Sequence, residues 1–300
     1  MRFYKYSSIL LLGLAIKFWF FQPYIVVSDS MANTLNKGDY IIMNTWEKSL
    51  FRNHKTLQKN DIFAFYYPLD SGTIKDKTVY VKRCIGMPGE WIKIDANQKN
   101  SKIAGLKYDF ILEDPYDILN QDHLLKMGIK QSTKLDDKKW ILTLNNIQKK
   151  EIQEWNSTFE LKMIVQNKNE FDSSVFPSDP IFPWNQDFYG PLYVPKNGDS
   201  ILLNVSNISL YKKIIEDYEN HSIKYENELF KIDGNLCSHY IFDQDYFFVA
   251  GDNRHHSFDS RHWGFIPEDH IISSIAIQII NLENLSITEC FKSIEEWIKN

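Results

Sequence analysis

Residues 251–264 read Gly-Asp-Asn-Arg-His-His-Ser-Phe-Asp-Ser-Arg-His-Trp-Gly and directly follow the apolar run 246–250. Small, polar and charged residues replace large apolar ones at one point, which is typical of a buried strand that ends in a loop. Loops on a rigid scaffold commonly carry binding and catalytic groups. The pattern also fits a structural turn held by an ion pair between Asp259 and Arg261. The stretch therefore predicts a strand followed by either a functional loop or a braced turn.

Other short apolar runs predict an antiparallel β architecture. They are residues 39–43, 61–67, 78–84, 91–94 and 275–279. Turn residues punctuate these runs, and no helical repeat separates the first four. From 96 to 245 the chain is more polar and less regular, so we interpret this region as an inserted second α+β domain. Within it, apolar spacing predicts helices near 144–155 and 209–219.

The N-terminus carries a basic flank followed by an apolar segment. Arg2 and Lys5 precede residues that are almost all apolar, with the exception of Lys17. A helix over 6–27 would contain ~22 residues and measure ~33 Å, enough to cross a bilayer core. Basic residues before such a span predict a cytoplasmic N-terminus and an external remainder. A cleaved secretory signal is the alternative, but no Ala-x-Ala-like cleavage site follows.

Composition excludes some classes of function. The chain has 300 residues and a net charge of −5, so no electrostatic argument favours nucleic-acid binding. The three cysteines, at 84, 237 and 290, show no metal-ligand spacing. His255, His256 and His262 match no known zinc pattern, so we predict solvated loop histidines and no metal site. Apolar residues at helical spacing predict an amphipathic helix over 285–300.

Two further segments carry a candidate nucleophile and a candidate base. Ser28-Asp29-Ser30-Met31 follows the apolar N-terminus, and Lys82 lies in the strand-like run 79–85. A serine hydroxyl needs a base to become a good nucleophile. A lysine amine can serve when it is neutral, and burial lowers its pKa by up to ~3–5 units. Alternation places Lys82 on one face with Tyr80 and Cys84. The alternatives are an exposed lysine and a serine in a helix cap or solvated loop.

Together these segments resemble the three signature boxes of type I signal peptidases, a family of membrane-bound Ser/Lys proteases. The first box, Ser-x-Ser-Met-x-Pro-Thr-Leu, is matched at 28–35 except that Asn33 replaces proline. The lysine box is similar at 82–90, with Glu90 where aspartate is common. The last box is similar at 251–261, with His256 where asparagine is frequent. The matches follow the family's order and cover roughly 28–95 and 245–268.

The resemblance implies a serine endopeptidase that removes signal peptides from exported preproteins, with neither cofactor nor metal. Ser30 would attack the scissile carbonyl, and neutral Lys82 would take its proton. The Ser28 hydroxyl and the Ser30 N–H would hold the oxyanion, and Ser257 would hydrogen-bond and orient Lys82. Loop support is expected from Asp252, Asn253, Asp259 and Arg261, and substrate-pocket walls from Met31, Tyr80 and Ile85.

The same resemblance implies an antiparallel β catalytic core of the signal-peptidase type with an inserted domain. The expected parts are a cytoplasmic end at 1–5, a transmembrane anchor at 6–27, the core at 28–95 and 246–284, the insert at 96–245 and the C-terminal helix at 285–300. The bacterial inner (plasma) membrane is the expected location, with the catalytic domain on the outer face. Expected partners are signal peptides, the lipid bilayer and the export machinery, and not nucleic acid. A non-catalytic membrane-tethered module and a LexA-like self-cleaving Ser/Lys regulator are the alternative functions.

Overall fold

Short strands make up most of the regular structure in the computed structural model, which describes residues 21–44, 57–97, 103 and 105–279. The strands are β1 Phe21–Ile25, β2 Tyr40–Asn44, β3 Ile62–Tyr66, β4 Val79–Gly86, β5 Trp91–Asp95, β6 Tyr108–Glu113, β7 Ser132–Asp136, β8 Lys139–Leu144, β9 Glu160–Met163, β10 Phe188–Tyr193, β11 Ser200–Leu202, β12 Ile223–Glu226, β13 Leu229–Ile232, β14 Asn235–Leu236, β15 His239–Ile241, β16 Tyr246–Ala250, β17 Ile266–Pro267 and β18 Ile271–Ile279. The α-helices are α1 Gln121–Lys126, α2 Asn146–Trp155, α3 Ile208–Lys213 and α4 Ser260–Trp263; Ile214–Tyr218 is a π-helical turn, and Ile74–Asp76 and Glu268–His270 are 3₁₀ turns. The predicted mainly β architecture is confirmed.

The largest sheet has seven strands in the order β1-β2-β18-β3-β4-β16-β17. All of its pairings are antiparallel, as the sequence predicted. In this sheet β4 lies between β3, where Phe63 is opposite Lys82, and β16, where Val249 is opposite Cys84. Two apolar clusters pack against the sheet, one containing Phe63 and Cys84 and the other containing Met31. Lys82 is therefore carried by a strand that is paired along both edges, which restricts its backbone position.

Residues 105–163 form a smaller unit with its own core. Its sheet has the order β7-β8-β6-β9, and α1 and α2 bury Leu124 and Ile152 against it. Asn145 and Gln148 form a capping box at the start of α2. Residues between 175 and 242 instead share a core with Phe248 of the main sheet. The region 96–245 thus contains one self-contained unit and one part that is continuous with the main β core.

The predicted N-terminal helix over 6–27 is wrong for its last part. Residues Phe21–Ile25 form β1, which pairs antiparallel with β2 and places Tyr24 opposite Ile41. Pro23 disfavours a helix interior and is tolerated here because β1 is at the edge of the sheet. The remainder of the predicted span and the helix predicted at 285–300 lie outside the described residues. Within the described ranges, no helix has the length and apolar character needed to cross a bilayer.

Candidate active site

Strand β4 places the amine of Lys82 against the hydroxyl of Ser30. Lys82 Nζ lies 2.6 Å from Ser30 Oγ and 3.2 Å from the carbonyl oxygen of Val81. Only 4% of Lys82 and 8% of Ser30 is exposed. Burial lowers the pKa of Lys82 from 10.5 to about 8, although the carboxylate of Asp259 acts in the opposite direction. An amine with this pKa is about half neutral at pH 8, and the neutral form can accept the Ser30 proton.

Ser30 lies in a tight turn that follows β1. The Ala32 N–H donates to the Asp29 carbonyl oxygen at 3.0 Å. Asn33 has a φ of +76°, and its N–H donates to Asn36 Oδ1 at 3.2 Å. Asparagine tolerates this left-handed conformation, whereas proline is locked near −65° and has no N–H to donate. The turn at the position of the family proline therefore has a backbone conformation that proline cannot adopt.

The hydroxyl of Ser28 is the second polar group beside the candidate nucleophile. Its oxygen lies 3.1 Å from Ser30 Oγ, and the Ser28 residue is exposed. A hydroxyl at this distance can reach an oxygen atom bound next to Ser30. Ser28, Ser30 and Lys82 are thus brought together at one place.

The loop 251–259 is tied to both the Ser30 turn and β4. The Asn253 N–H donates to the Ser30 carbonyl oxygen at 3.0 Å, and Asn253 Nδ2 donates to the Asp29 carbonyl oxygen at 3.1 Å. Asp252 accepts from Arg83 at 2.7 and 2.6 Å. It also accepts from the Thr34 hydroxyl at 2.5 Å. Asn253 therefore holds the Ser30 backbone directly, and Asp252 ties the loop to β4 through Arg83 and to the Ser30 turn through Thr34.

Asp259 and Arg261 form a buried ion pair below this loop. The guanidinium donates to the two Asp259 oxygens at 2.9 and 2.8 Å, and both residues are at most 1% exposed. The Gly251 N–H also donates to Asp259, at 2.9 Å. Burial alone would raise the pKa of Asp259, but the Arg261 guanidinium outweighs it and holds that pKa well below its usual range. Because both charges are paired, their burial braces the loop.

Ser257 is close to the Ser30 backbone but forms no hydrogen bond to Ser30 or Lys82. Its hydroxyl is buried and has no hydrogen bond of ordinary geometry, although it lies near the Asp259 carboxylate. The predicted hydrogen bond from Ser257 to Lys82 is therefore not formed. A Cβ added at Gly251 would collide with both the Ser257 hydroxyl and the Ser30 carbonyl oxygen. Glycine at 251 is thus what allows the Ser257 side chain to approach the Ser30 backbone.

A cavity of about 460 Å³ opens beside Ser30 and Lys82. Met31 and Tyr80, two of the three predicted pocket residues, line it together with Ser30 and Lys82. Its other apolar walls are Tyr24, Ile25, Val26, Val27, Leu35, Ile41, Met43, Val79 and Val81. Ile85, the third predicted pocket residue, does not line the cavity. It lies further along β4 and packs against the cluster that contains Ile92 and Phe248.

Several contributors to the site were not predicted. His256 and Phe258 line the cavity. Gln131 Oε1 accepts a 2.9 Å hydrogen bond from Asn253 Nδ2 across 122 residues of sequence. Alternation along β4 places Arg83 on the face opposite Lys82, and this local signal indicates that Arg83 has a different role. No local sequence pattern indicates a contribution from Gln131.

The geometry around Ser30 and Lys82 favours neither metal nor thiol chemistry. In the part of the chain that the structure describes, no group of three or more His, Cys, Asp and Glu side chains is arranged to hold a metal ion. Burial raises the pKa of the Cys84 thiol to about 12, so this side chain is packed and unreactive.

Comparison with known proteins adds independent information. The family model described as signal peptidase, peptidase S26, matches residues 2–169 and 194–280. Signal peptidase I of Buchnera aphidicola subsp. Baizongia pistaciae is 26% identical, over 91% of this chain and 74% of that protein. Signal peptidase I of Aquifex aeolicus is 25% identical over 88% and 77%, and that of Haemophilus influenzae is 22% identical over 94% and 67%. Because the family model spans well over half of the chain, this protein belongs to the signal peptidase family, peptidase S26.

Proposed function

We propose that this protein is a membrane-anchored serine endopeptidase that cleaves N-terminal signal peptides from exported preproteins, with Ser30 as nucleophile and Lys82 as general base. The observation that carries the proposal is the 2.6 Å contact between Lys82 Nζ and Ser30 Oγ, both largely removed from solvent. Lysine is seldom buried without a partner carboxylate, because burial penalises its charged form. A strongly lowered amine pKa beside a nucleophile in a cavity favours catalysis over packing.

The chemistry follows from these positions. Neutral Lys82 takes the Ser30 proton while Oγ bonds to the scissile carbonyl carbon. The negative charge on the carbonyl oxygen is held by the Ser30 N–H and the Ser28 hydroxyl. The intermediate collapses, the C–N bond breaks, and the Lys82 ammonium returns the proton to the leaving amine. Lys82 then deprotonates a water that attacks the acyl-serine, which releases the signal-peptide carboxylate and restores the Ser30 hydroxyl.

The substrate class follows from the cavity and the relatives. An apolar cavity of about 460 Å³ suits small apolar side chains such as those of an Ala-x-Ala segment. Ile25 and Val27 line the same cavity and are 50% and 74% exposed, which places apolar surface at its mouth. This surface fits an enzyme that works against a bilayer on an apolar segment. The relatives named signal peptidase I share most of their length with this chain.

We further propose that the apolar segment within 1–20 anchors the chain in the bacterial inner membrane, with a cytoplasmic N-terminus. The catalytic part, 28–95 and 246–284, would then lie on the outer face, with 96–245 inserted between its halves. Signal peptides emerging from the export machinery would meet the cavity at that face.

The test uses the full-length protein in detergent and a purified preprotein. We expect the parent protein to release the signal peptide, and Ser30→Ala and Lys82→Ala to abolish release. Lys59→Ala is the matched control, since Lys59 is exposed and pairs with Glu90 at 2.9 Å away from the dyad. An intact preprotein after incubation with the parent protein would instead indicate a non-catalytic binding module.

A further inference from the structure

Two histidines of the loop 251–259 are held by carboxylates from outside the loop. His256 Nε2 lies 3.0 Å from Asp109 Oδ1, and the Thr143 hydroxyl donates to the same oxygen at 2.6 Å. His255 Nε2 lies 3.0 Å from Asp187 Oδ1. Asp109 is in β6 and Thr143 in β8, both strands of the four-stranded sheet of 105–163. The loop that borders the dyad is therefore docked on the smaller unit.

The contact between Asp109 and His256 is charge-assisted. Burial would raise the pKa of Asp109, but the neighbouring His255 and His256 rings and the Thr143 hydroxyl outweigh it and hold that pKa well below its usual range. The hydrogen bond to Asp109 raises the pKa of His256, while burial, His255 and Lys107 act against it. Charge-assisted hydrogen bonds are about twice as strong as neutral ones.

A continuous series of contacts leads from this carboxylate to the candidate nucleophile. The His256 N–H donates to the Asn253 carbonyl oxygen at 3.0 Å, and the Asn253 N–H donates to the Ser30 carbonyl oxygen at 3.0 Å. The backbone of Lys107 reinforces the docking, since its N–H donates to the Asp252 carbonyl oxygen at 2.8 Å and its own carbonyl oxygen accepts from the Arg254 N–H at 2.9 Å. Only the loop stands between Asp109 and Ser30.

We infer that Asp109 is a positioning residue for signal-peptide cleavage: acting through His256, it holds the loop 251–259 where Asn253 fixes the Ser30 backbone. The inference rests on the proposed function. If Asp109 has this role, the sheet of 105–163 contributes to catalysis, because it carries the carboxylate that holds the loop in position. The Asp109 carboxylate acts through His256, since it lies 3.5 Å from His255 Nδ1. That nitrogen accepts from the Asp109 backbone N–H at 3.1 Å, a bond that does not involve the carboxylate.

The test measures steady-state cleavage of a signal-peptide substrate by the full-length protein. We expect Asp109→Asn to lower kcat about tenfold with KM changed less than about twofold, a smaller effect than the ~100-fold that a displacement of about 1 Å can cause. In NMR titrations the pKa of the His256 imidazole falls in the same variant. Asp117→Asn is the matched control, because Asp117 lies in the same unit and forms an exposed pair with Lys134 at 2.8 Å. If Asp109→Asn unfolds at the assay temperature, His256→Ala is used for the same test, since the His256 ring is half-exposed and its removal should disturb the fold less.

A double-mutant cycle decides whether the two residues act together. We expect Asp109→Asn combined with His256→Ala to lose about as much kcat as either single variant. Additive losses of about a hundredfold, or a parental kcat in Asp109→Asn, would overturn the inference. Ser30→Ala, assayed in parallel, distinguishes failure of this inference from failure of the proposed function. Cleavage that survives in Ser30→Ala refutes the mechanism. Cleavage that depends on Ser30 but runs at the parental rate in Asp109→Asn refutes only the role of Asp109.

Discussion

Cleavage by the proposed dyad requires a neutral Lys82, so its rate must depend on pH in a defined way. The pKa of this amine is lowered to about 8 by burial. At that value the neutral fraction is about 9% at pH 7, about half at pH 8 and about 91% at pH 9. We therefore expect kcat/KM to rise about tenfold between pH 7 and pH 9, with a midpoint near pH 8.

The free energy of unfolding should also depend on pH through the protonation of Lys82. In the unfolded chain Lys82 regains its ordinary pKa of 10.5, so between pH 8 and 10.5 the unfolded state binds more protons than the folded one. Folding free energy contributed by this group therefore becomes more favourable as pH rises through that window. Below pH 8 the buried ammonium destabilises the folded state by about 3 kcal/mol, at 1.36 kcal/mol per pKa unit.

The assay is initial-rate cleavage of a fluorogenic signal-peptide substrate from pH 6 to 10, with Ser30→Ala at each pH as the background. Thermal unfolding measured over the same pH range shows whether a fall in rate reflects unfolding of the protein or protonation of the Lys82 amine. A rate that is flat or falling between pH 6 and 8, or a midpoint near 10, would refute a buried lysine base. Either result would mean that the amine at 82 is not desolvated in the working enzyme.

Three further outcomes are expected. Lys82→Met should abolish cleavage yet raise the midpoint of thermal unfolding at pH 7, since an apolar side chain replaces a buried charge; an unchanged or lower midpoint contradicts the desolvation argument. Lys82→Arg should also be inactive, measured in the same cleavage assay, because a guanidinium stays protonated; appreciable activity argues against a lysine base. Asn33→Pro should destabilise the fold by at least ~1–3 kcal/mol in denaturant titrations, because φ is +76° at this position. Asn33→Gly should change the stability little, since glycine adopts this φ readily. Equal stability of the two variants would show that the turn is not left-handed.

Local patterns were sufficient where partners are close in sequence or alternation is strong. The strands predicted at 61–67 and 78–84 correspond to β3 and β4, and the helix predicted over 209–219 corresponds to α3 and the π-helical turn that follows it. Alternation also placed Lys82 on the face of Tyr80, whose ring centroid lies 5.4 Å from the amine. In each case the deciding interaction is within the element or its neighbour.

The errors occurred where a distant partner decides the outcome. The apolar run at 21–25 fits a helix by composition, but pairing with β2 makes it a strand. The individual strands of 105–163 are not predictable from local pattern, because they mix polar and apolar residues and close their core by pairing between distant segments. The Ser257 hydroxyl also lacks the hydrogen bond to Lys82 that the resemblance implies, and motif spacing does not determine side-chain orientation.

The charges around Lys82 explain how burial lowers the pKa of its amine although two aspartates lie nearby. Asp259 and Asp252 both favour the ammonium form of Lys82, and either one unpaired would oppose the effect of burial. Each is instead held by an arginine, Asp259 by Arg261 at 2.8 Å and Asp252 by Arg83 at 2.6 Å. Arg261 lowers the pKa of Lys82 and so offsets part of the effect of Asp259, while burial remains the largest cause of the shift. The Asp259–Arg261 pair thus both holds the loop and acts on the pKa of Lys82.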